Sequence, residues 1–490
     1  MRTLICLALG VGLLPSVCAQ DHSRDLLILT NVNVVDTRFG AIAGNQTVVI
    51  KNGRIAGIAR HALIPGNRST QVVNASGKYL IPGLWDMHVH SARETTGGWD
   101  ERAIYPLYVA NGVTGIRDMS ADFDALKKRR DRIAAGELLG PHILMAGPFL
   151  SAGKSGAQTI GANTPQEGRM AVRELKRQGV DFVRILPALS RESYFAIADE
   201  SQKQHLPLTG YPPESVTALE ASARGQRIIE DLSGVALACS AKEDALRHRR
   251  LEDLKKNDLA DYEAASAEAM ASYDQQKAWS VFVQLADNFT WQVPTLSWWH
   301  AEAELTKAKA RSDPRLKYVP ASVQSAPDSE ILGEHRAEPV DLEKTSATFI
   351  RLAGVMRHNA VPFLAGTDSP AAYVFPGFSL HEELELMVQG GFTNLEALQA
   401  ATFNPALFQT KLDQYGLVEQ GRVADLVLLD ANPLADIRNT RKIAAVIVGG
   451  KFYNRSALDR MLNAVAALVE VQGTPQQIEE KSAPVATPSR

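Results

Sequence analysis

The chain reads as an α/β protein, a (β/α)8 TIM-type barrel joined to a small β-sandwich domain built from both termini. Three observations carry that reading. From about Trp85 to Asp368, short β-rich runs alternate with longer helical stretches, the pattern of parallel strands joined by crossover helices. That span suits a barrel with insertions, for which ~250 residues is typical. Further β-rich segments flank it on both sides, within 20–80 and 406–467. A chain of 490 residues, 45% hydrophobic and 22% charged, has material for one large core and an accessory unit. A net charge of −3 provides no basic field for nucleic acid or an anionic membrane surface.

Taken in chain order, residues 1–19 read as a secretory signal peptide. Met1-Arg2 is a short positive start, an apolar run extends from Leu4 to Leu14, and Val17-Cys18-Ala19 puts small residues at a cleavage site. The expectation is export to the periplasm or the extracellular space, with no membrane span. Cys6 and Cys18 lie in that segment, so the mature chain keeps Cys239 alone and has no internal disulfide. Residues 20–80 form the first part of the β-domain, with Lys51-Asn52-Gly53 as a hairpin turn. The barrel occupies 81–405; its strand candidates include Gly115–Asp118, His142–Met145 and Phe182–Ile185. The charged stretch Ala241–Lys277 reads as a helical excursion above the barrel. The loop-rich stretch Asp313–Asp341 is a lid candidate. Thr393 with Glu396 makes a capping box. Residues 406–467 complete the β-domain and add a closing helix, and 468–490, rich in Pro, Gln, Ser and Ala, read as a disordered tail.

The chemistry concentrates in Ile81-Pro82-Gly83-Leu84-Trp85-Asp86-Met87-His88-Val89-His90. Residues two apart on a strand face the same side, so His88 and His90 both point inward at the end of the first barrel strand. Two imidazoles there make half of a metal site. Asp86 and Asp118 are placed to brace the barrel mouth. Trp298-Trp299-His300 lies near the seventh strand, and an aromatic substrate wall and ordinary packing are both open readings for it. No phosphate-binding glycine loop or serine nucleophile elbow is present.

This segment resembles the start of the barrel in the amidohydrolase superfamily, in its imidazolonepropionase-like and prolidase-like branch. Asn111–Asp118, Ala365-Gly366-Thr367-Asp368-Ser369, Phe378–Leu384 and Ala424–Val427 resemble later motifs of that branch in the same order. The resemblance runs from about 25 to 455. It implies a metal site made of the two first-strand histidines, a carbamylated lysine on the fourth strand, histidines on the fifth and sixth, and an aspartate on the eighth that also moves a proton. His88, His90 and Asp368 match. The other positions depart: the lysine position is Arg184, the fifth-strand position is Tyr211, and the sixth is Asp231. Arginine stays protonated and cannot form a carbamate bridge. The metal site is thus degenerate, and His205 and His300, the nearest other histidines, read as surface or core residues.

The expectation is an enzyme, a hydrolase of an amide or other non-peptide or dipeptide C–N bond acting on a small-molecule substrate. It would use Zn2+ or another divalent metal, at most one per chain, held by His88, His90, Asp368 and Asp231. Asp368 would move the proton, with Arg184, Tyr211 and Asp231 as further catalytic candidates. Two alternatives stay open. One is a metal-independent lyase, isomerase or cyclase, with Arg184 paired to Asp231 in a self-neutralising cluster. The other is an inactive binding homologue. Substrate identity and oligomeric state are not legible.

Overall fold

The computed structural model describes residues 26–60, 70–92, 99–156, 158–256, 268–304, 312–324 and 341–472. The signal-peptide reading of 1–19 lies outside them. The fold is mixed α/β.

The terminal segments meet in one sheet. Leu26–Val35 pairs antiparallel with Ile42–Lys51 on one side and parallel with Thr70–Asn74 and Tyr79–Pro82 on the other. Tyr79–Pro82 in turn pairs with Leu426–Leu429, followed by Ile443–Val448 and Lys451–Asn454. Sequence predicted a sandwich, but hydrogen bonds link these strands into a single eight-stranded sheet. Shifts in register between Leu29 and Val34 interrupt the central strand. Leu27, Leu29 and Ile50 from one end then share a core with Leu426, Leu428 and Ile447 from the other. The turn at Lys51-Asn52-Gly53 has φ of 51° at Asn52 and 71° at Gly53, the left-handed pair that a two-residue hairpin turn requires.

Between these ends runs the parallel part. Leu84–Val89 pairs with Val113–Asp118, which pairs with His142–Met145. Asp181 N–H then donates to Met145 O, and Val183–Ile185 pairs with Leu208–Gly210. A parallel bridge joins Leu208 to Gln226, and Ile228–Glu230 pairs with Trp291–Val293. The eighth segment, residues 363–368, bridges Gln292 at Phe363, and Ser369 just beyond it bridges Val89. Met87 N–H donates to Ala365 O and Asp368 N–H to His88 O, each at 2.8 Å. The last segment therefore meets the first. Strands such as Leu84–Val89, Val113–Asp118 and Ile228–Glu230 are buried at every position, as sheets covered on both faces must be.

Helix boundaries follow local chemistry. Thr393 and Glu396 form the expected capping box, and Thr164/Glu167 and Thr217/Glu220 form two more. The final helix, Arg455–Gln472, runs into the stretch read as a disordered tail. Its apolar spacing explains the extension, because Leu458, Val465 and Val469 continue one buried face. His142 Nε2 meets Asp425 Oδ2 at 2.6 Å, tying the third parallel strand to the terminal sheet.

The lid reading of 313–341 is not supported by its described part. Tyr318 stacks on Phe378, 5.5 Å between ring centroids, and Pro314–Tyr318 packs against the final helix. Residues 325–340 lie outside the described set.

Candidate active site

His88 lies near the carboxyl end of Leu84–Val89 and His90 just past it, both buried. Asp368 follows the eighth segment. His90 Nε2 stands 2.9 Å and His88 Nε2 3.4 Å from the same Asp368 oxygen. Among the described residues these three form the one group placed to hold a metal ion, with ligand atoms within 4.8 Å of one another.

The first and last strands are fastened together where this group forms. Asp86 accepts from Thr367 N–H at 3.0 Å and from the Thr367 hydroxyl at 2.7 Å. Burial pushes the Asp86 carboxyl up to about 7. A Cβ on Gly366 would sit 2.8 Å from His88 Cβ and 2.9 Å from its backbone nitrogen, so only glycine lets the segment pass this close. Asp118 accepts from Ser91 and Ser120 N–H. Both predicted braces are present.

Sequence reasoning missed the group behind His88. Its Nδ1 lies 3.0 Å from Glu230 Oε2, and Arg117 Nη2 donates to both Glu230 oxygens at 2.8 and 2.9 Å. Arg117 and Glu230 are both 0% exposed. Burial alone would raise Glu230, but Arg117 and His88 hold it down at about 2. A carboxylate there accepts a hydrogen bond from Nδ1–H and leaves the His88 Nε2 lone pair facing Asp368. This is the arrangement by which outer carboxylates orient metal-binding histidines. The available signal was a charge inside each of two apolar strand runs, Gly115–Asp118 and Ile228–Asp231.

Asp231 is near but turned elsewhere. Its Oδ2 accepts the Tyr211 hydroxyl at 2.6 Å and its Oδ1 the Thr295 hydroxyl at 2.8 Å. Its approach to His88 is to Nδ1, at 3.8 Å. The structure thus does not gather Asp231 into the donor set expected from sequence. Burial raises the Asp231 carboxyl and lifts the Tyr211 phenol well above its ordinary range, so Tyr211 stays a hydrogen-bond donor. Asp231, Thr295 and Asp368 have φ of 55°, 47° and 64°. Such left-handed backbone costs on the order of 1–3 kcal/mol per residue and clusters at functional sites.

Arg184 does not pair with Asp231, as one sequence reading required. Its Nη1 donates to Met119 O at 2.7 Å, and its guanidinium lies 4.5 Å from the Phe149 ring centroid and 5.9 Å from that of Tyr211. Burial would raise the Asp368 carboxyl; His90, His88 and the Arg184 charge together hold it well below the usual range. His205 and His300 are exposed and take no part.

A cavity of about 290 Å3 opens on Asp368, Asp231, Tyr211 and Thr295 and is walled by Trp298, Trp299 and Phe349. Trp298 and Trp299 line this cavity, and Trp299 also packs against the hydrophobic core. Arg250, from the helix Glu243–Lys256 of the predicted excursion, reaches the same cavity.

The donor set fits a divalent ion. Two imidazole nitrogens and a carboxylate oxygen suit Zn2+ and its neighbours, and three protein ligands leave a position open, as catalytic sites do. A second ion would meet the fixed Arg184 charge. Replacing Arg184→Lys, Tyr211→His and Asp231→His together is therefore expected to create a second site, while each single change does little. Histidine tolerates the left-handed backbone at position 231 better than most residues. Metal counting checks this; a folded triple variant with no gain would show that the mouth has been reshaped.

The parallel α/β part thus carries two histidines and an aspartate that could hold a metal ion near the carboxyl ends of its strands. Residues 316–453 match the amidohydrolase family. Ochratoxinase of Aspergillus niger is 24% identical over 472 residues, covering 84% of this chain and 83% of that one. N-acetylglucosamine-6-phosphate deacetylase of Lysinibacillus sphaericus is 30% identical over 148 residues, 27% of this chain and 36% of that one. This chain thus spans about a third of the deacetylase. The solved structure of bottromycin amidohydrolase superposes with a TM-score of 0.68 at 19% identity, over 90% of each chain. The chain is thus similar to the amidohydrolase family in residues 316–453 and to an ochratoxinase over most of its length.

Proposed function

We propose that this chain hydrolyses the amide bond of a small molecule, using one divalent ion held by His88, His90 and Asp368 at the mouth of a closed (β/α)8 barrel spanning 81–405. The observation that carries the reading is the convergence of two Nε2 atoms on one Asp368 oxygen at a cavity. The amidohydrolase family match and the likeness to bottromycin amidohydrolase favour an amide over another C–N bond. Residues 1–19 would direct export to the periplasm or beyond.

When bound, the ion supplies a Lewis acid that polarises a carbonyl and acidifies water. The chain's residues do the rest. Asp368, held ionised, takes the proton from the attacking water and returns it to the leaving nitrogen. Glu230 fixes His88 so that Nε2 faces the site. Tyr211 lines the cavity with its hydroxyl committed to Asp231, and Thr295 holds that carboxyl from the other side. Arg184, which donates to Met119 O, acts through its charge on Asp368.

The test is amide hydrolysis with and without chelator. Using a panel of N-acyl amino acids and dipeptides, dialysis against a chelator is expected to abolish turnover and added Zn2+ to restore it. Turnover indifferent to chelation would favour the metal-independent alternative.

A further inference from the structure

The cavity divides by chemistry. Asp368, Asp231, Tyr211 and Thr295 supply its polar groups, and Trp298, Trp299, Phe349 and Leu237 supply apolar wall. That wall is rigid. Trp299 stacks on Phe349 with ring centroids 4.5 Å apart and planes 19° from parallel. Trp298 stands edge-on to Trp299 at 4.8 Å and 85°. Both tryptophans sit in the first turn of the helix Leu296–Glu304, whose exposed N–H groups need a cap. Glu383, fully buried on the helix Phe378–Gln389, accepts Ser297 N–H at 2.6 Å. The wall is thus fixed before any ligand arrives.

Arg250 does not turn this wall into a carboxylate receptor. Its Nη2 lies 3.0 Å from Glu214 Oε1, and both side chains are buried. The cavity, about 290 Å3, is at the small end for ligand sites and admits a ring and a short linker, not a polypeptide.

Resting on the amide-hydrolase reading, we infer that the substrate presents a neutral planar aromatic ring, packed against Trp298, Trp299 and Phe349, next to the bond cleaved at Asp368. Ring-on-ring packing favours such a group beyond the area it buries. Trp298 and Trp299 would then be specificity residues.

Binding and turnover test this separately. Calorimetry with benzamide and with butyramide as probes is expected to show benzamide about tenfold tighter. Trp298→Leu keeps apolar bulk and removes the ring face; it is expected to erase most of that margin, and Trp298→Phe to keep it. In turnover, N-benzoyl amides should exceed N-acetyl amides of the same amine by a similar factor. Equal binding of the two probes, or a margin that survives Trp298→Leu, overturns the inference. Amide turnover without the aromatic margin would sink this inference and leave the hydrolase. An aromatic margin in binding with no amide turnover would sink the hydrolase reading and leave the aromatic site.

Discussion

Replacing Asp368 by Asn is expected to lower kcat/KM by about 100- to 10,000-fold, the usual worth of a positioned acid–base group. The residue stands at two steps of the chemistry. One of its oxygens faces both histidine Nε2 atoms, and in the proposed mechanism its carboxylate takes the proton from water. Asparagine keeps the shape, so the fold should hold. The φ of 64° at this position is also one that asparagine tolerates well. The variant should bind metal more weakly as well as turn over slowly. A fully active Asp368→Asn protein with unchanged metal affinity would remove this residue from the mechanism.

Breaking the pair behind His88 is the second large effect. Arg117→Met would leave the Glu230 carboxylate in a fully buried place without its guanidinium. Removing one partner of a buried pair costs about 3–5 kcal/mol, and urea unfolding would read that loss. Arg117 also donates Nε–H to Met87 O at 2.7 Å, so the first strand loosens too. The pH dependence has a definite sign. Glu230 is held at about 2 in the folded chain, below its unfolded value of about 4.3. Its contribution is therefore present above the unfolded value and is lost as pH falls toward 2. Without Arg117 that loss should begin at higher pH. Stability unchanged by Arg117→Met would mean that the carboxyl is neutral in the folded protein.

Much of this architecture could be read from the residues, for identifiable reasons. Parallel strands such as Leu84–Val89 are buried on both faces, so they appear as apolar runs. Asn52-Gly53 announces a turn because few residues accept two left-handed positions. His88, His90 and Asp368 were legible because strand alternation and a motif resemblance both pointed to them. What stayed hidden depends on contacts between distant segments. Nothing in the order of residues says that Glu230 lies behind His88, 142 positions away. Nor does it say that Arg184 turns to a backbone carbonyl of Met119 instead of to Asp231. The joining of the two ends in one hydrogen-bonded sheet was not legible, because pairing between termini is set by register, not by composition. The tail boundary moved because Val469 finds a buried face that a Pro- and Gln-rich window obscures.

The central claim is one divalent ion per chain, bound by His88, His90 and Asp368. Elemental analysis of protein equilibrated with Zn2+ and freed of loosely held ion tests it most directly, alongside a His88→Ala control. One metal per chain, lost in His88→Ala, is the result this account predicts. Two per chain would contradict it, because Arg184 would then be no barrier to a second ion, and none per chain would contradict it as well.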